Sequence, residues 1–226
     1  MSDSASTASD GSPVEDDALA GDVEGPGTRR LLADAAARDL AVEIVARPAA
    51  DSLEAAAALL GLDPSSVVKS LVVKRHDGSF LFALVPGDRQ ISWRKLRTAV
   101  GVNKLSMPTA EVALEATGFE RGTITPIGSS TAWPVVADER IVGRRVAMGA
   151  GGHGLSAFVE ADELIAAYSA TVADISDLPP PPVRGPPRTP GRQAARSGSG
   201  RPRRPPRRAG STSLPRTRAR PRRRAW

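Results

Sequence analysis

Hydrophobic positions along this chain recur in two rhythms, and the changes of rhythm mark its elements. Leu31, Leu32, Ala35, Ala36 and Leu40 fall at helical spacing over residues 29–40, and Val42-Glu43-Ile44-Val45 then predicts a strand. Asp51, as N-cap with Glu54 three positions on, opens a second helix whose stripe is Leu53, Ala56, Ala57 and Leu60 and whose stop is Gly61. Residues 67–74 and 80–85 read as two strands joined at His76-Asp77-Gly78-Ser79, a hairpin signal, so part of the sheet is antiparallel. After Pro86-Gly87-Asp88, helices are predicted over 92–100 and 108–116, the latter ending at Gly118. Strand signals resume at 134–137, 141–148 and 155–159, and a helix at 162–168 and a strand at 171–175 close the pattern. Strands interrupted by helices without regular βαβ alternation predict a single α+β domain around a mixed, barrel-like sheet.

Within the strand over 67–74 the alternation places Lys69 with Val67, Leu71 and Val73, on the more apolar face. An ammonium taken out of water costs several kcal/mol unless something pairs with it. A lysine there snorkels to water, pairs with an acid, or holds an anionic substrate.

Charge divides the 226 residues into three parts. Residues 1–28 carry seven acids and no Lys or Arg in a Ser, Gly and Ala setting, and residues 179–226 carry fifteen arginines and no acid among Pro, Gly and Ser. Neither composition can bury a core, so both are expected to be disordered. The middle, 29–178, keeps 16 of the 31 bases against 18 of the 25 acids, and the high isoelectric point belongs to the tail. That tail reads either as an electrostatic contact for RNA or as an extension without a binding motif. With no cysteine, thiol nucleophiles, thiolate metal sites and disulfides are excluded. No apolar run reaches the roughly 18 residues of a membrane span, and no basic start with an apolar stretch marks a signal peptide, so a cytoplasmic protein is expected. No His, Asp and Glu cluster has metal-ligand spacing, and neither metal nor cofactor is expected.

Two glycine-rich loops join Lys69 as candidate chemistry: Gly122-Thr123-Ile124-Thr125-Pro126-Ile127-Gly128, and residues 149–154. Glycine lets a ligand approach the backbone, and adjacent N–H groups can hold a phosphate or an oxyanion; each loop taken alone reads more readily as an ordinary tight turn. His76 sits in the hairpin turn as a solvated residue. His153, inside Gly151-Gly152-His153-Gly154, either rims a pocket or assists proton transfer or RNA contact. No Gly-x-Ser-x-Gly elbow occurs in the folded part, which argues against a serine nucleophile.

Taken in order, Gly61-Leu62-Asp63-Pro64, Val67-Val68-Lys69-Ser70-Leu71, Val85-Pro86-Gly87-Asp88, the loop from Gly122 to Gly128 and the loop before Leu155 closely resemble the YbaK/EbsC family, relatives of the editing domain of bacterial prolyl-tRNA synthetases. The resemblance covers about residues 31–177. It implies a trans-editing deacylase that acts on the 3′ acceptor end of a mischarged tRNA, tRNA(Pro) with a small wrong amino acid, with prolyl-tRNA synthetase as a possible partner. By resemblance, Lys69 holds the 3′-terminal nucleotide and Gly122 supplies backbone contacts near the ester. Thr123, Pro126, Gly128, Gly149, Gly151, Gly152, His153 and Gly154 form the surrounding walls. Thr123 stands where the family has a second glycine, Gly149 where some members have Ser, and Ser156 where some have Asp. These departures bear on specificity more than on catalysis. A non-catalytic RNA-binding module with the same pocket is the alternative.

Overall fold

The computed structural model describes Val23 and residues 25–180. The segment 1–22, Glu24 and residues 181–226, which hold nearly all of the two parts expected to be disordered, lie outside the described residues. The first helix, α1 (Pro26–Ala37), starts three residues before the expected Arg29. Pro26 presets the helical φ of its first turn, and Thr28 is fully buried. The folded part therefore begins inside the stretch assigned by composition to disorder.

Strand β1 (Glu43–Ala46) leads to α2 (Leu53–Leu59), whose cap is Ser52 and not Asp51: the Ser52 hydroxyl accepts from the Ala55 N–H at 3.1 Å. Strands β2 (Val68–Arg75) and β3 (Phe80–Pro86) form the expected antiparallel hairpin, its turn held by Asp77, which accepts from Ser79 N at 3.0 Å. A two-residue strand β4 (Gln90–Ile91) and another, β5 (Leu105–Ser106), flank α3 (Trp93–Val100); neither is long enough to announce itself by alternation. Next come α4 (Ala110–Thr117) and β6 (Val135–Asp138). The strand expected over 141–148 is shorter. Residues Glu139–Ile141 form a 3-10 turn capped by Asp138, and β7 (Arg145–Gly149) starts only after Gly143, whose φ is +71°. The chain closes with β8 (Leu155–Glu160), α5 (Ala161–Ala167), β9 (Thr171–Ala173) and β10 (Ser176–Asp177).

The sheet is mixed, as expected, but the barrel does not close. One sheet runs β5-β2-β3-β6-β9, with parallel β3–β6 and β6–β9 pairs, and a second runs β1-β8-β7. A single bridge, Val67 to Ala147, joins them, and β4 pairs with β10 apart from both. The strands β2 and β3 are covered on both faces. Val68, Val72, Phe82 and Leu84 pack into a large cluster with Leu31 of α1 and Leu164 of α5, while Val73, Leu81, Ala83 and Val85 pack with Leu96 of α3. Burying an aliphatic side chain of this kind contributes about 1.5–3 kcal/mol, so α1, α3 and α5 are held chiefly by these stripes.

Candidate active site

The site lies where the two sheets part. Beyond the Val67–Ala147 bridge, β2 and β7 no longer pair, and β2 meets β5 only at Lys74 and Arg75. The outer edge of β2 over residues 68–73 is thus left without a strand neighbour. A cavity of about 620 Å³ opens along it. Its walls are β2 from Val68 to Val72, the end of β7 at Met148 and Gly149, the start of β8 at Leu155 and Ser156, residues of the α2 region, and the approach to α4 from Met107 to Ala113.

Lys69 is on this wall. It pairs in register with Val85, on the face of Leu71 and Val73, as alternation predicts, and it is partly buried. Its Nζ donates to the backbone carbonyl of Arg89 at 2.6 Å, and among the described residues no carboxylate forms an ion pair with it within 4.0 Å. Burial lowers its pKa below the ordinary 10.5, and the more distant Glu54 and Asp88 only partly counter this. The accepting carbonyl is fixed from behind. Arg89 Nε donates to Ser176 Oγ at 2.8 Å, β10 pairs with β4, and Lys95 ties the Ser176 carbonyl (2.8 Å) to Asp174 and Asp177. Of the three origins open to Lys69, pairing with an acid is thereby set aside: the residue lines the cavity, and the partner of its ammonium is a carbonyl.

Gly122 and Gly149 line the same cavity as Lys69. The two glycine loops are brought together: Gly151 N donates to Thr123 O at 3.0 Å, and Gly149 lies against the Thr123 and Ile124 backbone. The other expected site residues fall behind or beside the cavity wall. Thr123 is buried and its hydroxyl donates to Glu120 O at 2.9 Å; Pro126 is buried too. Gly128 packs on the Arg30–Leu31 backbone of α1 and donates its N–H to Asp34 at 2.8 Å. Gly151 packs on Gly27, Gly152 is partly buried, and Gly154 accepts from Arg47 N at 2.8 Å. His153 is exposed outside the lining, with Nε2 2.9 Å from Glu120 Oε2, and its Cε1 would be 3.9 Å from a Cβ on Gly122. His76 lies exposed in the β2–β3 turn.

Helix α1 braces both loops. Thr28 Oγ1 donates to Ala150 O at 3.0 Å, and Asp34 accepts from Gly128 N, from Arg38 Nε (3.0 Å) and from the Tyr168 hydroxyl of the α5 end. Burial pushes the Asp34 carboxyl up, but these hydrogen bonds outweigh it and hold the group below its ordinary pKa; burial and Asp34 together push the Tyr168 phenol up.

Several lining residues were picked out by no feature of the sequence: Arg47, Met107, Arg121 and Met148. The Ser70 hydroxyl is buried without a protein partner. Arg47 lies one residue past β1, where only the register of β1 on β8 brings it beside Ser156. Among the described residues no group of three or more His, Asp or Glu is placed to hold a metal ion. No helix among them is long and apolar enough to cross a membrane.

The α+β domain is the fold that the sequence anticipated, and Lys69, Gly122 and Gly149 line one cleft in it. The chain belongs to the aminoacyl-tRNA editing domain family, whose model matches residues 47–167, more than half of the chain. It is similar to a proline--tRNA ligase of Thermosipho africanus, 39% identical over 97 residues, which are 43% of this chain and 17% of the ligase. A proline--tRNA ligase of Trichlorobacter lovleyi is 38% identical over 82 residues, 36% of this chain and 14% of the ligase. The chain thus spans only a small part of the length of these curated relatives. Among solved structures, a proposed trans-editing enzyme for prolyl tRNA synthetase superposes with a TM-score of 0.63 at 29% identity, covering 68% of this chain and 98% of that one.

Proposed function

We propose that this chain is a trans-editing deacylase, hydrolysing the ester of a mischarged tRNA, tRNA(Pro) with a small wrong amino acid, in the cytoplasm alongside prolyl-tRNA synthetase. The observation that carries this reading is the convergence of Lys69, Gly122 and Gly149 on one cleft in a chain of the editing family. Hydrolysis adds one water: the acyl carbon gains its oxygen, the ribose oxygen regains a proton, and amino acid and tRNA part. An aminoacyl ester is already activated, so positioning and oxyanion stabilisation matter more than a strong nucleophile. The Lys69 ammonium holds the 3′-terminal nucleotide, and the Gly122 and Gly149 backbones let the ester lie close to the wall.

The test is release of labelled amino acid from a panel of mischarged tRNAs. Wild type should act on tRNA(Pro) carrying a small non-cognate residue, and Lys69→Ala should lose on the order of 100-fold or more. Release at the buffer rate by both proteins would sink the enzyme reading. If charged and uncharged tRNA were then bound equally, a recognition module would take its place.

A further inference from the structure

Lys69 is not the only cation that the fold leaves open on this cleft. Arg47 lines it from the opposite side, and Arg121 stands beside Gly122, whereas Asp51 is the one carboxylate among the lining residues. Arg47 is partly buried. Its guanidinium is anchored at two points, Nε donating to Ser156 Oγ at 3.0 Å and Nη1 to the Pro48 carbonyl at 3.1 Å. Among the described residues Nη2 has no hydrogen-bond acceptor and no carboxylate pairs with Arg47 within 4.0 Å. Burial lowers its pKa, so the fold holds a partly dehydrated cation in place without an acid to neutralise it.

The topology gives the two cations separate anchors. Arg47 is tied to Ser156 at the start of β8, in one sheet, and Lys69 to the Arg89 carbonyl just before β4, from a strand of the other sheet. Each is held on the shared cavity by a different part of the fold, so each can meet an anion of its own. A free amino acid ester carries no negative charge to answer this arrangement, but a nucleic-acid end has one phosphate per nucleotide.

We infer that Arg47 forms a second anion subsite, which holds a backbone phosphate of the single-stranded RNA 3′ end upstream of the nucleotide bound by Lys69. The inference rests on the proposed RNA substrate but not on hydrolysis. The anchored fork leaves one edge of the guanidinium for the phosphate oxygen, a fixed donor suited to a flexible strand. Ser156 acts here as a positioning residue, setting the plane of the Arg47 side chain.

The test is binding of an uncharged, fluorescently labelled RNA oligonucleotide ending in CCA to the full chain at several salt concentrations. Each phosphate neutralised on a single strand contributes about 0.7 to the slope of log affinity against log salt. Arg47→Gln, which keeps a donor for Ser156 and loses the charge, should weaken binding several-fold and flatten the slope by about 0.7; Arg47→Lys should keep the wild-type slope. Equal affinity and slope for wild type and Arg47→Gln would overturn the subsite, as would a weakening with no change of slope. A melting curve confirms that the variant is folded; if Arg47→Gln is not, Arg47→Met supplies the neutral comparison. Hydrolysis of mischarged tRNA by a protein whose salt slope ignores Arg47 would defeat this inference alone. A wild type that binds through Arg47 without hydrolysing would defeat the deacylase reading alone.

Discussion

Placing a single methyl at Gly149 tests whether the two glycine loops form a rigid wall. The Cβ of Gly149→Ala would lie 2.5 Å from the Ile124 carbonyl oxygen and 2.6 Å from both the carbon and the oxygen of the Thr123 carbonyl. All three are main-chain atoms. That carbonyl already accepts from Gly151 N, and Thr123 N is committed to Glu120 O at 3.0 Å, so the neighbour has little freedom to retreat. Overpacking of this kind costs typically about 1–3 kcal/mol. In a domain of this size each kcal/mol lowers the melting temperature by about 2–4 °C, so a fall of about 2–12 °C is expected, with deacylation falling too because the wall of the cleft is displaced. Gly122→Ala is the contrasting variant. Its Cβ would meet nothing nearer than His153 Cε1 at 3.9 Å, but its φ of +94° imposes backbone strain of about 1–2 kcal/mol. Thermal and urea unfolding of both proteins, with deacylation measured beside them, reads the two mechanisms. A Gly149→Ala protein as stable and as active as wild type would refute the rigid wall.

The Lys69 ammonium should titrate below the ordinary 10.5 in the free protein, because burial disfavours its charge. Nitrogen NMR of Nζ should show that value rise when the RNA end binds; no rise would contradict pairing of Lys69 with an anion. Acid stability reports two carboxyls: Asp34 is held below 3.8 by its hydrogen bonds, and Arg140 and then Lys95 hold Asp174 down to about 2. Groups depressed in this way contribute stability that is present above their unfolded value and is lost as pH falls through the folded one. The melting temperature should therefore drop between about pH 4 and pH 2, and Asp174→Asn should flatten that fall; an unchanged acid limb would count against the assignment.

The long elements and the placement of a few single candidate residues were legible in the sequence. The face of Lys69 followed from alternation, and the two loops followed from their glycines. What stayed hidden depends on register and on contacts distant in the chain. Arg47 had no pattern of its own, since its place on the cleft comes from pairing of β1 with β8 and from the Ser156 hydroxyl. The strand expected over 141–148 loses its first residues to a turn: Ile141 ends a 3-10 turn capped by Asp138, and Val142, Gly143 with its positive φ and Arg144 separate that turn from β7. The resemblance assigned most of the small residues of the two loops to the walls of the pocket, yet Gly128 and Gly151 serve close packing against α1. A glycine that admits a ligand and one that admits a helix look alike in a sequence.

That packing has a consequence for any attempt to move the editing domain to another protein. Gly27 meets Gly151, Thr28 holds Ala150, and Asp34 holds Gly128, so α1 clamps both loops from behind. All three residues precede residue 47, where the family match begins. The smallest portable piece is therefore larger than the recognisable one: a graft cut at the edge of the family match would carry Lys69 and the glycines but leave behind the helix that sets their spacing.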